Sequence, residues 1–348
     1  MLKPYTTNAK HMRILIVQTS YLGDTILSTP VIAGVHQIYP EAELWMMTTP
    51  AATGLVRHDP LLRGVLAFDK RNQDAGLSGL MHTGIALRRK RFDRVYALQR
   101  SYRTALTLLV SGIPHRTGFR NARLSFIFHT QQFRTPTDHD VLRNLSLLTG
   151  EAPLDSFDTR LRLFPPPRAH LGAAAKHLLA QDRPLALLVP GSAWPTKMWY
   201  WQHFRTVAAH FRKRGYAVAL LGGPGDREVN RQVADQLDVF DLAGKTSVED
   251  AVAIVQNAHL MICNDSMALH MASAFTIPCV AIFCATCPSF GFGPWRNPRA
   301  MVVEKKALPC KPCTRHGGKT CPTGTRACME EVLPEEVIAA AETVLDLP

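Results

Sequence analysis

The chain has no uninterrupted apolar run long enough to span a bilayer, and its opening "MLKPYTTNAKH" lacks the apolar centre of a signal peptide. The expected location is therefore the cytoplasm. It has no low-complexity tract and no repeat of solenoid period, which argues against disorder and against a stacked-repeat fold. Equally absent are a G-x-S-x-G elbow, a P-loop, an H-E-x-x-H pair and the G-x-G-x-x-G spacing of a dinucleotide turn. Hydrolase, kinase and nicotinamide-dependent dehydrogenase readings lose ground together. No paired aromatic ribonucleoprotein motif and no histidine-bearing zinc finger is present, so nucleic acid is set aside as a partner.

What is present is a 348-residue chain, 46% hydrophobic and 20% charged, long enough for two hydrophobic cores. Its net charge of +12 is uneven. Lys and Arg outnumber Asp and Glu by 21 to 12 in residues 1–165 and by only 19 to 16 in the remainder. The densest run is "LRRKRFDR" at 87–94. Any one of these side chains reads first as part of a solvated helix face, but collectively they point to an anionic partner, either a membrane surface or a phosphorylated molecule.

Apolar runs of strand length alternate with stretches of helical period, the rhythm of a parallel α/β sheet. Strands are expected at 14–19, 43–48, 64–69 and 94–99, then at 185–189, 217–221, 260–263 and 279–283. Between the first four, "DTILSTPVIAGVHQIY" and "GLSGLMHTGIALRRKR" space their apolar residues as amphipathic helices do. Pro165, Pro166 and Pro167 interrupt the rhythm and mark a connector. The expectation is two doubly wound, Rossmann-like domains, 1–165 and 166–333, with a last helix over 334–348 packing back on the first.

Ligands of open parallel sheets bind beyond the carboxyl ends of the strands, so polar residues in those positions become candidates. Asp24 follows the first strand in "RILIVQTSYLGDTILSTP", and its plain alternative role is a helix N-cap. In "LVPGSAWPTKMWYW", Ser192 and Lys197 lie between a strand and a helix, where a hydroxyl, a lysine and backbone N–H groups suit a diphosphate, although a surface lysine would look the same. In "LMICNDSMALHMASAF", Asp265 and Ser266 could cap the helix or face an anion at its N-terminus, and His270 reads as a packed helix residue. In "LLGGPGDREVNRQVADQL", Asp226 and Glu228 could receive a ribose hydroxyl or cap the helix.

Of eight cysteines, Cys310, Cys313, Cys321 and Cys328 form a C-x2-C-x7-C-x6-C pattern in the tail. Four thiolates with a leading C-x2-C suit a structural tetrahedral zinc site, the alternative being four reduced thiols in a loop. Cys263, Cys279, Cys284 and Cys287, in or beside strands, read as small core residues.

Taken together, "RILIVQTSYLGDTILSTPVI", "PGSAWPTKMW", "LGGPGDRE" and "CNDSMALHMASA" resemble the motifs of glycosyltransferase family nine, the lipopolysaccharide heptosyltransferases. The segment "ALPCKPCTRHGGKTCPTGTRACMEEVLPEEV" is similar to the tail of its type II members. This resemblance implies a GT-B architecture, two Rossmann-like domains facing across a cleft. It further implies inverting transfer of heptose from ADP-L-glycero-D-manno-heptose to the inner core of lipopolysaccharide, at the inner face of the plasma membrane.

Asp24 matches the family's proposed base, Lys197 its phosphate-contacting lysine, and Asp265 and Ser266 its diphosphate loop. Because Asp265 would repel phosphate, its expected role is to orient Lys197 or backbone donors. No metal is required for catalysis on this reading, since lysine and helix end supply the positive field. On charge alone, Arg57, Arg63, Arg100, Arg103, Arg116 and Arg120 are candidates for holding an anionic acceptor. Two departures from the family pattern are Met267, where glycine is common, and Tyr200, where proline is usual. The alternatives are a family member using another nucleotide sugar and a non-catalytic nucleotide-sugar-binding protein.

Overall fold

A computed structural model describes residues 12–70, 72 and 74–347. The chain forms two compact units, Met1–Arg162 and Leu163–Pro348. In the first, six parallel strands are β1 (Arg13–Val17), β2 (Glu43–Thr48), β3 (Leu62–Ala67), β4 (Arg94–Ala97), β5 (His115–Phe119) and β6 (Thr130–Gln132), in the order β3-β2-β1-β4-β5-β6. Ile14, Leu15, Ile16 and Val17 of β1 are all fully buried, as a central strand covered on both faces requires.

The second unit repeats the plan with β7 (Leu185–Val189), β8 (Ala217–Leu220), β9 (Phe240–Asp241), β10 (Leu260–Asn264), β11 (Cys279–Ile282) and β12 (Ala300–Val303), in the order β12-β11-β10-β7-β8-β9. Strand order reverses between β1 and β4 in one sheet and between β7 and β10 in the other, and the loops that leave these pairs are where ligands of such sheets bind. All eight expected strands are present. Strands β5, β6, β9 and β12 were not anticipated. β6 is "TQQ" and β9 only "FD", too short and too polar to stand out as an apolar run.

Three further expectations are corrected. The single helix read over 24–39 is two, Leu22–Ser28 and Pro30–Ile38, because Pro30 has no N–H for the Ile26 carbonyl. Thr29 serves that carbonyl instead, its hydroxyl donating at 2.7 Å. The boundary falls three residues before the prolines, since Arg162 is held in the first unit. Its guanidinium donates to both oxygens of buried Asp59, at 3.0 and 2.8 Å, and its N–H donates to Thr29 Oγ1 at 2.9 Å. Finally, the last helix, Pro334–Asp346, packs its apolar face within the second unit. Val337, Ala340, Ala341 and Val344 are buried in the core of the second, among Trp199, Val280 and Ile282.

Candidate functional site

In the second unit the candidate residues gather where β7 and β10 end. Asn264, the last residue of β10 and fully buried, holds both ends of the 190–199 loop. Its Nδ2 donates to the Pro190 carbonyl at 2.7 Å and its Oδ1 accepts the Trp199 N–H at 3.0 Å. Trp199 is itself fixed by its indole N–H, 2.9 Å from the Val332 carbonyl. A loop clamped in this way places its one lysine with little freedom.

That lysine, Lys197, ends a short 3-10 turn and brings Nζ to 2.7 Å from Asp265 Oδ2. The same carboxylate oxygen accepts the Thr286 hydroxyl at 2.6 Å. Asp265 and Thr286 are buried, whereas the Lys197 side chain stays 15% exposed, so the ammonium is the member of the set that reaches solvent. Asp265 therefore contacts Lys197, the residue it was expected to orient. Ser192 lies in the same loop, its hydroxyl 3.5 Å from the Asp265 carbonyl.

Ser266 caps the helix Met267–Phe275, accepting the Ala268 N–H at 3.4 Å, so its N-cap reading is present in the fold. The helix end beside it still offers N–H groups suited to an anion. Met267 is the first residue of this helix, and His270, one turn in, is buried.

Asp226 joins the set through the loop after β8. Its Oδ2 accepts the Gly223 N–H at 2.8 Å, and burial pushes its carboxyl above the usual range. A Cβ on Gly191 would lie 2.2 Å from Asp226 Oδ1, so only glycine allows the β7 and β8 loops to approach so closely. Glu228 does not join them. It is exposed and committed to Arg231 at 2.7 Å and to Gln232 at 3.1 Å.

The tail loop forms one wall of this region. Gly318 N–H donates to Thr196 Oγ1 at 2.7 Å, Cys313 N–H donates to the Ala285 carbonyl at 2.9 Å, and Gly317, at φ +84°, comes so close that a Cβ would sit 3.0 Å from Lys197 Cγ. Among the described residues no three or more His, Cys, Asp or Glu side chains form a group that could hold a metal. Cys328 is buried in the apolar core, and burial first, then the nearby Cys313, Cys321 and Cys310, raises its thiol to about 11. Thr286, Asn264 and the Thr196–Gly318 pair were missed as site residues. The rule that polar residues follow strand ends reaches Thr286, but it stands inside "CATC", where the cysteines draw the eye.

In the first unit Asp24 lies in the first turn of the helix Leu22–Ser28, and its Oδ2 accepts the Tyr21 N–H at 3.1 Å. Around the same edge, Ser20 Oγ donates to Gln99 Oε1 at 2.9 Å, joining the loops that leave β1 and β4, and Lys70 Nζ donates to the Thr19 carbonyl at 2.5 Å. The carboxylate therefore stands at the point where strand order reverses.

The six candidate arginines do not form one cluster. Arg100 and Arg120 follow the carboxyl ends of β4 and β5, and both are exposed. Arg63 and Arg116 are second residues of β3 and β5, at the amino ends of their strands. Arg57 immediately follows the short helix Thr53–Val56 that leads towards β3. Two guanidinium groups are already spent on backbone. Arg103 donates to the carbonyls of Asp74 and Gly76 at 3.1 and 2.7 Å, and Arg116 to those of Ile127 and Ile113 at 2.9 and 2.6 Å. Arg103 and Arg116 thus each hold two backbone carbonyls in the first unit.

A family model described as glycosyltransferase family 9 (heptosyltransferase) matches residues 81–322. Lipopolysaccharide heptosyltransferase 2 of Escherichia coli K12 is 24% identical over 294 residues, 80% of this chain and 84% of that protein. Two solved structures are similar in fold. The glycosyl transferase family 9 protein of Veillonella parvula has a TM-score of 0.85 at 23% identity, covering 99% of each chain. The ADP-heptose LPS heptosyltransferase II of E. coli has a TM-score of 0.79 at 22% identity, covering 96% of this chain and 98% of that one. These likenesses run through both units, and the α/β, GT-B plan expected from the sequence is the fold of the chain.

Proposed function

Because the chain belongs to glycosyltransferase family 9 (heptosyltransferase), we propose that it is a lipopolysaccharide heptosyltransferase of type II, moving heptose from ADP-L-glycero-D-manno-heptose to an inner-core hydroxyl with inversion. The observation that carries the reading is the Lys197–Asp265–Thr286 set at the strand-order reversal of the second unit, a cation held for a diphosphate. The lysine and the buried carboxylate neutralise each other, and of the two the ammonium is the one that reaches solvent. The names of the relatives support the donor and the acceptor.

In the proposed reaction the acceptor oxygen bonds to the anomeric carbon as the bond from that carbon to the diphosphate breaks. The electron pair leaves on ADP, and the acceptor proton passes to Asp24. A carboxylate, whose ordinary pKa is about 3.9, is ionised at neutral pH and takes the proton as the new bond forms. Lys197 and the N–H groups at the start of the helix Met267–Phe275 meet the charge that builds on the leaving diphosphate. Ser192 and Asp226 serve the donor, and Arg100 and Arg120 the acceptor, of a catalyst working at the cytoplasmic membrane face. Among the described residues no helix is long and apolar enough to cross a membrane.

The test offers purified protein a panel of nucleotide sugars with truncated core acceptors of graded length. Release of ADP coupled to heptose transfer, from ADP-heptose alone, is expected. Turnover of a different nucleotide sugar would replace the donor assignment, a reading that Met267 at the helix start favours. Binding of ADP without transfer to any acceptor would remove the catalytic one.

A further inference from the structure

The first unit carries an outward surface that sugar transfer does not use. Its helix Gly76–Arg89 buries Leu80, Thr83, Gly84 and Leu87 and turns Leu77, Met81 and Ile85 outward, 72%, 42% and 43% exposed. Their spacing of four residues makes one stripe along the helix, and the next position on that stripe is exposed Arg89. The helix Tyr102–Ser111 lies alongside. A Cβ on Gly84 would fall 2.5 Å from Val110 Cγ1, and Arg103 reaches across to the Asp74 and Gly76 carbonyls, so the two helices pack closely. This second helix exposes Tyr102 and Leu109, at 55% and 48%, and the turn Ser125–Ile127 packed on it exposes Phe126 at 77%.

Charge identifies what such a face meets. Residues 75–134 hold eleven Lys and Arg against one acid, Asp93, whose carboxylate already accepts the Arg13 N–H at 2.8 Å. Two of the eleven, Arg94 and Arg134, are paired with Glu151 and Asp140 from outside this stretch. Arg88, in the same helix, and Arg91 and Arg123 are exposed as well. A second copy of the chain would set this cationic face against itself. We propose that the face is a docking surface for an anionic lipid bilayer. The apolar side chains enter the boundary between headgroups and acyl chains, and the guanidinium groups pair with lipid phosphates. The proposal rests on the preceding reading only in that a lipid-borne acceptor gives docking its purpose. The binding itself needs neither donor nor acceptor.

The experiment is flotation of the full chain with vesicles of phosphatidylethanolamine and phosphatidylglycerol, and with neutral phosphatidylcholine vesicles, at low and high salt. Binding to the anionic vesicles and its loss in high salt are expected. Removing two charges, Arg88→Ser with Arg89→Ser, is expected to weaken it roughly tenfold or more. The triple variant Leu77→Ser, Met81→Ser, Ile85→Ser is expected to weaken it as well, while unchanged ADP affinity reports an intact fold. Equal binding to neutral vesicles, or variants that bind like the parent, would overturn the proposal. So would self-association abolished by these substitutions in a chain that ignores vesicles. Transfer to a soluble, delipidated acceptor is expected to be unaffected by the variants. Failure of that transfer with vesicle binding intact would count against the proposed function and leave the docking surface standing.

Discussion

Lys197 Nζ lies 2.7 Å from Asp265 Oδ2, and that oxygen is shared with the hydroxyl of Thr286. A buried acid in a region proposed to hold a diphosphate is repulsive by itself. Paired in this way, it becomes the anchor of a cation, and the two partners are separable by experiment.

Lys197→Ala leaves Asp265 buried without its cation, which is expected to lower stability by up to about 3–5 kcal/mol, the range for breaking a buried pair. Turnover is expected to fall on the order of 10²–10³-fold, as for loss of one well-placed donor to a leaving group. Adding Asp265→Asn to Lys197→Ala is expected to return the unfolding midpoint most of the way without returning ADP affinity. Thr286→Val keeps volume but removes a hydrogen bond to a charged group. A stability loss of about 1.5–3 kcal/mol, with a raised donor KM, is expected. Denaturant unfolding, ADP calorimetry and transfer kinetics on the same samples check all three.

Asp24 has a structural duty, the Tyr21 N–H, and a proposed chemical one. Asp24 is the third residue of its helix, where the N-cap is Tyr21, and an amide oxygen can accept the same Tyr21 N–H, so Asp24→Asn is expected to change stability by less than about 1 kcal/mol while abolishing turnover and sparing ADP binding. Transfer activity retained in this variant would leave the carboxylate with its Tyr21 hydrogen bond alone.

Gly317 is at φ +84°, and a Cβ added to it would lie 3.0 Å from Lys197 Cγ. Gly317→Ala adds both left-handed strain, about 1–2 kcal/mol, and a methyl group against Lys197 Cγ. The expected result is a lower melting temperature together with a raised donor KM. The control Gly324→Ala, also at positive φ but with nothing near its added carbon, is expected to show the strain without the change in KM.

Hydrogen bonds from the Thr323 hydroxyl and from the backbone N–H groups of Arg326, Thr323 and Gly324 pull the Cys321 thiol down to about 7. A depressed folded-state value stabilises the fold above the ordinary thiol range, and that contribution is lost as pH falls through about 7. Iodoacetamide at neutral pH is expected to label Cys321 first, with a rate midpoint near pH 7, whereas Cys284 and Cys328, both raised by burial, resist. Thr323→Val is expected to move the midpoint upward, read by mass spectrometry of the labelled peptides.

The eight apolar strand runs and the polar residues that follow them were legible in the chain, because a parallel strand buried on both faces must be continuously apolar and its ligand loops must not be. Asp24, Lys197, Asp265 and Ser266 stood out for that reason. Short polar edge strands such as β6 and β9 left no such trace, since pairing with a neighbour, not side-chain pattern, makes them strands.

Other assignments belonged to tertiary structure alone. The partner of Thr286 lies 21 residues away in sequence, and the partner of Thr196 lies 122 away. Arg103 and Arg116 were indistinguishable from Arg100 and Arg120 as charges, and only the fold shows the first two spent on carbonyls. Local pattern determined which segments are strands and helices, because period and burial are written along one element. Which guanidinium faces solvent, which acid holds a lysine and which core takes the last helix depend on contacts between distant segments, and those exist only once the chain has packed.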